Sequence, residues 1–178
     1  MKADIDATVE YPYPPERVWA ALTSSEALAA WLMPNDFVPE VGHEFTLRTR
    51  PAPGFDGTVR CRVLELDPPA RMVWSWAGGS IDTTVTFTLE AAGTDRTRLR
   101  LHQVGFHGLG GQLTRRILAG GYPRLLGQRL PAWLDQQAGA STGPATVRCA
   151  EGWRAYLGII RRWRHAANLS RSNINPNH

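Results

Sequence analysis

The sequence predicts an α+β domain in which a curved antiparallel sheet of about six to seven strands wraps around a long C-terminal helix, with two short helices after the first strand. Segments that alternate apolar and polar residues follow one another between residues 44 and 104 with short turns, which favours an antiparallel meander. After Phe106 the apolar residues recur at helical spacing. The chain has 178 residues, of which 43% are hydrophobic and 20% charged, as is typical of a folded domain with its own core.

The N-terminal part contains the first strand and the two short helices. Residues 7–11 alternate and are predicted to form a strand. A helix is predicted over 15–22, because a proline is tolerated in the first turn of a helix, where its missing N–H would be unpaired anyway. A second helix, capped by Ser24 or Ser25, is predicted to run through Leu32.

Five further strands follow at regular spacing. In each, one set of alternate positions is mainly apolar, and in most of them the other set is rich in arginine, threonine or acidic residues, so one face of the sheet is expected to contact water. The predicted strands are Glu44–Thr49, Gly57–Leu66, Arg71–Trp76, Asp82–Glu90 and Thr97–Val104.

The C-terminal part is predicted to be helical. Apolar residues at helical spacing indicate two helices between residues 107 and 137, separated by a break around Pro123. A further amphipathic helix is predicted over 145–165, and the tail 166–178, which is rich in asparagine and serine, is expected to be disordered.

Several segments together resemble one known superfamily. The run Pro-Pro-Glu-Arg-Val-Trp-Ala-Ala-Leu at 14–22, the helix at 25–32 and the strand segments 63–76 and 97–106 are similar to the START-like (SRPBCC) superfamily, and most of all to the branch named for the activator of heat-shock protein 90 ATPase. The resemblance implies a helix-grip fold, with residues 1–165 forming a single START-like domain. It implies no single activity, because this fold includes cyclases, lipid carriers and co-chaperones.

Two helices could close the sheet as this resemblance requires. The helix at 145–165 contains Gly152-Trp153, which matches the usual opening of the closing helix, and is the preferred candidate. Residues 107–143 would then form a helical insertion or lid. Alternatively, the helix at 122–137 closes the sheet and the later residues form an extension.

A set of mainly aromatic residues is predicted to converge between the sheet and the closing helix. Two interpretations remain open: a packed core, or a pocket for a flat or hydrophobic ligand. Gln103 and Tyr156 are the polar members and are expected to orient such a ligand. The predicted ligand-binding residues are Trp31, Phe45, Cys61, Trp74, Trp76, Phe87, Leu101, Gln103, Trp153, Tyr156 and Ile160.

No catalytic residue, metal site or cofactor is predicted. The five histidines are scattered, and Cys61 and Cys149 form no CxxC pattern. The sequence has neither a GxSxG motif nor a phosphate-binding loop. Asp36, Glu40 and Glu44 near the predicted pocket entrance are expected to be solvated, so no acid or base for proton transfer is expected inside.

Charge gives only general indications of partners. The net charge is +4, and 19 of the 20 basic residues are arginines. Those on the C-terminal helices could face solvent, an anionic membrane, an acidic protein partner or a second copy of the chain, and no nucleic-acid-binding motif accompanies them. The longest apolar run, 27–33, is too short for a transmembrane helix, and the N-terminus has no apolar stretch, so a cytoplasmic protein is expected.

The main functional hypothesis is the binding of a small hydrophobic or aromatic molecule. The resemblance also implies two alternatives. One is a cyclase, aromatase or dehydratase acting on polyketide-like substrates, and the other is a chaperone-associated interaction protein similar to activators of heat-shock protein 90 ATPase.

Overall fold

The structure is a computed structural model that describes residues 4–140. Within this range, residues 4–138 form one compact unit. Its elements are β1 (Ile5–Tyr11), α1 (Pro15–Leu22), α2 (Ser25–Trp31), β2 (Glu44–Arg48), β3 (Thr58–Asp67), β4 (Arg71–Gly78), β5 (Ile81–Ala91), β6 (Thr97–Val104), α3 (Gly108–Arg124), a π-helical turn (Leu125–Arg129) and α4 (Leu130–Ala140).

The six strands form one curved antiparallel sheet in the order β1-β6-β5-β4-β3-β2. Strands β2 to β6 pair with their neighbours in sequence, as the short turns predict. Strand β1 pairs instead with β6, in a register that runs from Ile5 opposite Gln103 to Tyr11 opposite Thr97. The predicted α+β helix-grip fold is confirmed, and the predicted strands and short helices differ from the observed ones by at most two residues at either end.

The first two helices begin as their sequences predict. Pro15 occupies the first turn of α1, where a missing N–H costs nothing. The Ser24 hydroxyl accepts a hydrogen bond from the Ala27 N–H at 3.3 Å and caps α2. Helix α2 is held against α1 by the Trp31 indole, whose Nε1–H donates to the Ala21 carbonyl at 2.9 Å.

The helical break predicted around Pro123 is wrong. Residues 108–140 are helical throughout, and Pro123 lies within the last turn of α3. Proline removes one backbone donor and crowds the preceding turn. The backbone after Pro123 adopts a π-helical turn, in which the Leu130 N–H donates to the Leu125 carbonyl five residues earlier. The helix therefore widens and continues where a break is predicted.

The apolar side of this long helix packs into the same unit as the sheet. Tyr122, Leu126, Leu130 and Leu134 are all buried. The Tyr11 hydroxyl of β1 donates to the Leu126 carbonyl at 2.7 Å, which joins the edge of the sheet to the π-helical turn. The other candidate for the closing helix, 145–165, lies outside the described residues, so the limits of the insertion stay a prediction.

The outer face of the sheet carries ion pairs between neighbouring strands. Arg98 pairs with Glu10 at 2.7 Å, and Arg100 pairs with Asp6. All of these side chains are well exposed, so each pair contributes little to stability. The pairs show that Arg98 and Arg100 lie on the solvent-exposed face that the alternating pattern predicts. Within the described part, no helix is long and apolar enough to cross a membrane.

Candidate functional site

The strand registers bring the inward-facing residues into rows across the sheet. In the central row, Trp74 lies opposite Val63 on one side and Val85 on the other, and Val85 lies opposite Gln103. Trp74 and Gln103 are thus two strands apart, a separation of about 10 Å. A neighbouring row contains Phe45, Cys61, Trp76 and Thr83, which also lie opposite one another in adjacent strands.

An aromatic cluster surrounds the Trp74 indole. The ring centroid of Trp74 lies 4.8 Å from that of Phe87, 5.2 Å from Phe45 and 5.4 Å from Phe37. Phe37 and Phe45 also meet edge to face at 5.0 Å. These edge-on and tilted contacts are the favoured geometries of aromatic pairs. Three of the predicted site residues, Phe45, Trp74 and Phe87, are therefore brought together.

Phe37 belongs to this cluster although the sequence analysis did not single it out. It lies in the irregular segment between α2 and β2, where no periodic pattern shows which way a side chain points. Its backbone N–H donates to the Asn35 side-chain oxygen at 3.1 Å, a local turn that asparagine favours. The sequence Asn-Asp-Phe after Pro34 was the available signal for such a turn.

Two buried indole N–H groups have no hydrogen-bond acceptor within the described residues. They belong to Trp74 and to Trp19 on α1. A buried indole N–H usually has a partner. By contrast, the N–H of Trp31 is satisfied by the α1 backbone, so the described contacts of this predicted site residue are structural.

A chain of hydrogen bonds between polar side chains crosses the interior beside the aromatic cluster. The Tyr122 hydroxyl of α3 donates to Gln103 Oε1 at 2.7 Å, and Gln103 Nε2 donates to the Thr83 hydroxyl at 2.9 Å. Thr83 in turn donates to the Trp76 carbonyl at 3.0 Å. All four residues are buried. Burial raises the pKa of the Tyr122 phenol above its usual range, so this group stays a neutral donor.

Gln103 is thus buried and faces inward, as the sequence predicts. It contacts Tyr122, a residue that the predicted site did not include. The other predicted ligand-orienting residue, Tyr156, lies outside the described residues, as do Trp153 and Ile160. Thr83 was also missed, although it shares the alternating phase of Val85 and was therefore predictable as inward-facing. The sequence does not reveal that Tyr122 lies beside Gln103, because this depends on how the helix 108–140 packs on the sheet.

The remaining predicted site residues in the described part fill the interior. Leu101 is buried opposite Phe87, and Trp76 is buried opposite Cys61. Burial raises the pKa of the Cys61 thiol to about 12. At neutral pH this cysteine is therefore a protonated thiol and a poor nucleophile.

The described interior contains no charged side chain. Among residues 4–140, the buried polar residues apart from tyrosine are Thr23, Thr83, Thr97 and Gln103. Asp36, Glu40 and Glu44 are exposed, as the sequence predicts. No group of three histidine, cysteine or acidic residues suited to a metal ion occurs in this part of the chain. The interior can therefore offer aromatic faces and neutral hydrogen-bonding groups.

This fold is shared with a known family. Residues 12–162 match the family described as "Activator of Hsp90 ATPase homolog 1-like protein", and the chain belongs to that family. A search of curated proteins finds no match.

Several solved structures share this fold. Protein MLL2253 from Mesorhizobium loti is 31% identical, with a TM-score of 0.64, and the match covers 74% of this chain and 97% of that chain. Protein BH1534 from Bacillus halodurans is 26% identical, with a TM-score of 0.63 and coverage of 75% and 99%. The Aha1 dimer from Colwellia psychrerythraea, at 20% identity and a TM-score of 0.51, covers 69% of this chain and 96% of its own and shares the fold.

Proposed function

We propose that the protein binds a small hydrophobic or aromatic molecule between the concave face of the sheet and the long helix that follows β6. The observation that carries the proposal is the Trp74 indole. It is fully buried, three aromatic rings contact it, and its N–H has no acceptor within the described residues. A ligand that offers an oxygen to this N–H, while stacking on the neighbouring rings, would satisfy both features.

The hydrogen-bond chain beside the cluster supports a neutral ligand. Gln103 uses one amide proton on Thr83 and accepts from Tyr122, which leaves its second amide proton available. No cationic side chain is buried among the described residues to neutralise a carboxylate, and a buried unpaired charge is costly. A flat molecule with a carbonyl or hydroxyl group fits these donors best. The protein would act in the cytoplasm, as its sequence predicts.

Mass spectrometry tests whether a ligand accompanies the protein. The mass of the purified full-length chain under native conditions is compared with its mass after denaturation. An additional mass that disappears on denaturation is expected, and its value would give the molecular mass of the bound compound. The neutral dye N-phenylnaphthylamine then serves as a fluorescent probe that the ligand should displace.

Two matched tryptophan variants test the placement of the site. Trp74→Phe keeps an aromatic ring but removes the N–H, and should weaken binding of an oxygen-bearing ligand by about fivefold to tenfold, the loss of one hydrogen bond. Trp19→Phe is the control, because it also removes a buried N–H without an acceptor in the described part, but on α1. Equal affinities for Trp74→Phe and the unaltered protein would show that the site has been misplaced.

Membership of the family favours a second candidate, an interaction with a chaperone of the Hsp90 type. Purified Hsp90 ATPase activity, measured with and without the full-length protein, tests it. Unchanged ATPase activity at saturating protein would rule this function out for the chaperone tested.

The polyketide cyclase-like alternative has less support in the described part of the chain. Proton transfer needs a side chain that titrates near neutral pH. The buried ionisable groups among residues 4–140 are the phenols of Tyr11 and Tyr122 and the thiol of Cys61, and burial raises the pKa of each. None of these groups is suited to act as a base at neutral pH.

A further inference from the structure

Helix α3 presents apolar side chains to solvent on the side opposite its packed face. Leu109 is 93% exposed, Leu113 63% and Ile117 65%. Their spacing of four residues places them on one side of the helix. Gly111 and Tyr122, the buried residues of α3, lie on the other side. Together Leu109, Leu113 and Ile117 form the apolar stripe of α3.

Basic residues share this face. At about 100° per residue, Arg116 and Arg124 fall within the same arc as the apolar stripe. Both are exposed, and neither makes an ion pair within residues 4–140. The sequence has no aspartate or glutamate between Asp95 and Asp135, so no acidic side chain on α3 neutralises them.

The N-terminal end of α3 adds to the positive potential. His107 occupies the capping position without a side-chain hydrogen bond to the first turn, and the first turn contains no acidic residue. The free backbone N–H groups and the helix dipole make this end attractive to anions. It adjoins Leu109, the most exposed leucine of the stripe.

We propose that this face of α3 docks on an anionic phospholipid surface, with the apolar stripe inserted among the lipid chains and the arginines at the headgroups. Exposed aliphatic side chains interleaved with arginines are the pattern that binds such an interface. A second copy of the chain fits less well, because in a symmetric contact the α3 of the second copy would offer no acidic side chain to pair with Arg116 and Arg124. A peptide in a groove fits less well too, because Leu109 projects almost fully into solvent. This inference is independent of the proposed ligand.

Vesicle sedimentation with the full-length protein tests the proposal. One set of vesicles contains phosphatidylcholine with about one third phosphatidylserine, and the other contains phosphatidylcholine alone. The protein should sediment with the anionic vesicles and much less with the neutral ones, and added salt should weaken binding. The double variant Leu109→Gln/Leu113→Gln should lower the partition coefficient at least about tenfold.

One single variant tests the contribution of charge to vesicle binding, and a second serves as a control. Arg116→Gln should weaken binding to the anionic vesicles by about fivefold and leave the weak binding to neutral vesicles unchanged. Leu64→Gln is the control, because Leu64 is also an exposed leucine, 45% accessible, but lies on β3. It should bind as the unaltered protein does. All of these side chains are exposed, so we expect each variant to fold.

Three results would overturn the proposal. The first is an absence of binding to either vesicle. The second is equal binding by the Leu109→Gln/Leu113→Gln variant, which would place the contact on other basic residues of the chain. The third is a concentration-dependent dimer in sedimentation velocity that this variant abolishes, which would show that a second copy covers the stripe.

Discussion

The hydrogen bond between Tyr122 and Gln103 joins the long helix to the sheet, and removing it should have a measurable cost. Tyr122→Phe deletes the donor and leaves Gln103 Oε1 buried without it. A buried polar group that loses its partner costs about 1–3 kcal/mol, more than the net worth of the bond itself. We therefore expect the free energy of unfolding to fall by about 1–3 kcal/mol. For a chain of this size, each kcal/mol lowers Tm by about 2–4 °C.

Replacing both partners should cost less than the sum of the single changes. Gln103→Leu alone leaves the Tyr122 hydroxyl without its acceptor. The double variant Tyr122→Phe/Gln103→Leu removes both the donor and the acceptor, so neither is buried without its partner. Replacing both by apolar groups of similar shape can leave the stability nearly unchanged. We expect a coupling energy of about 1–2 kcal/mol in the double-mutant cycle.

Urea unfolding followed by tryptophan fluorescence measures these free energies. Tyr11→Phe is the matched control, because it removes another buried phenolic hydroxyl, which donates at the same distance of 2.7 Å but to the Leu126 backbone carbonyl. The changes in the free energy of unfolding caused by Tyr11→Phe and by Gln103→Leu should add in the double variant. If Tyr122→Phe and Gln103→Leu are also additive, the hydrogen bond does not join the helix to the sheet as described.

Three further predictions concern separate parts of the chain. Because burial raises the pKa of Cys61 to about 12, the Cys149→Ser variant should give no rapid thiol reaction with Ellman's reagent at pH 8, and one thiol per chain after denaturation; a rapid native reaction would contradict the burial. The hydrogen bond from the Thr46 backbone N–H lowers the pKa of the Asp36 carboxyl in the folded protein. The ionised Asp36 should therefore stabilise the fold above the unfolded carboxyl pKa of about 4, and this stabilisation should be lost as the pH falls through the lower pKa of the folded state. The difference in urea midpoint between Asp36→Asn and the unaltered protein should therefore shrink on acidification, and a constant difference would contradict this cause. Ser24→Ala should destabilise the fold by about 1 kcal/mol in urea unfolding, since it removes a helix cap; an unchanged midpoint would show that the cap contributes nothing.

Much of the fold follows from local patterns in the sequence. The alternation in 97–104 predicts β6 to the residue, and the proline-led segment 15–22 predicts α1 equally well. Local backbone preference and burial of one face agree in these segments, so the pattern is sufficient. The same alternation correctly places Trp74, Phe87 and Gln103 in the interior.

The helix after β6 shows where local signals were insufficient. Pro123 and the adjacent glycines indicate a break, because both residue types disfavour helix. The buried side chains of Tyr122 and Leu126 pack within the same unit as the sheet, and a π-helical turn absorbs the proline. Tertiary packing therefore outweighs the local preference.

The sequence by itself determined the six strands and the two short helices, which of their faces are buried, and that the interior would be aromatic with Gln103 as a polar member. Only the tertiary structure decided that β1 pairs with β6, that Phe37 completes the cluster around Trp74, and that Tyr122 is the partner of Gln103. The physical reason is that burial of apolar surface is not directional. Periodicity shows that a face must be covered, but the covering residue is chosen by packing among segments distant in the chain.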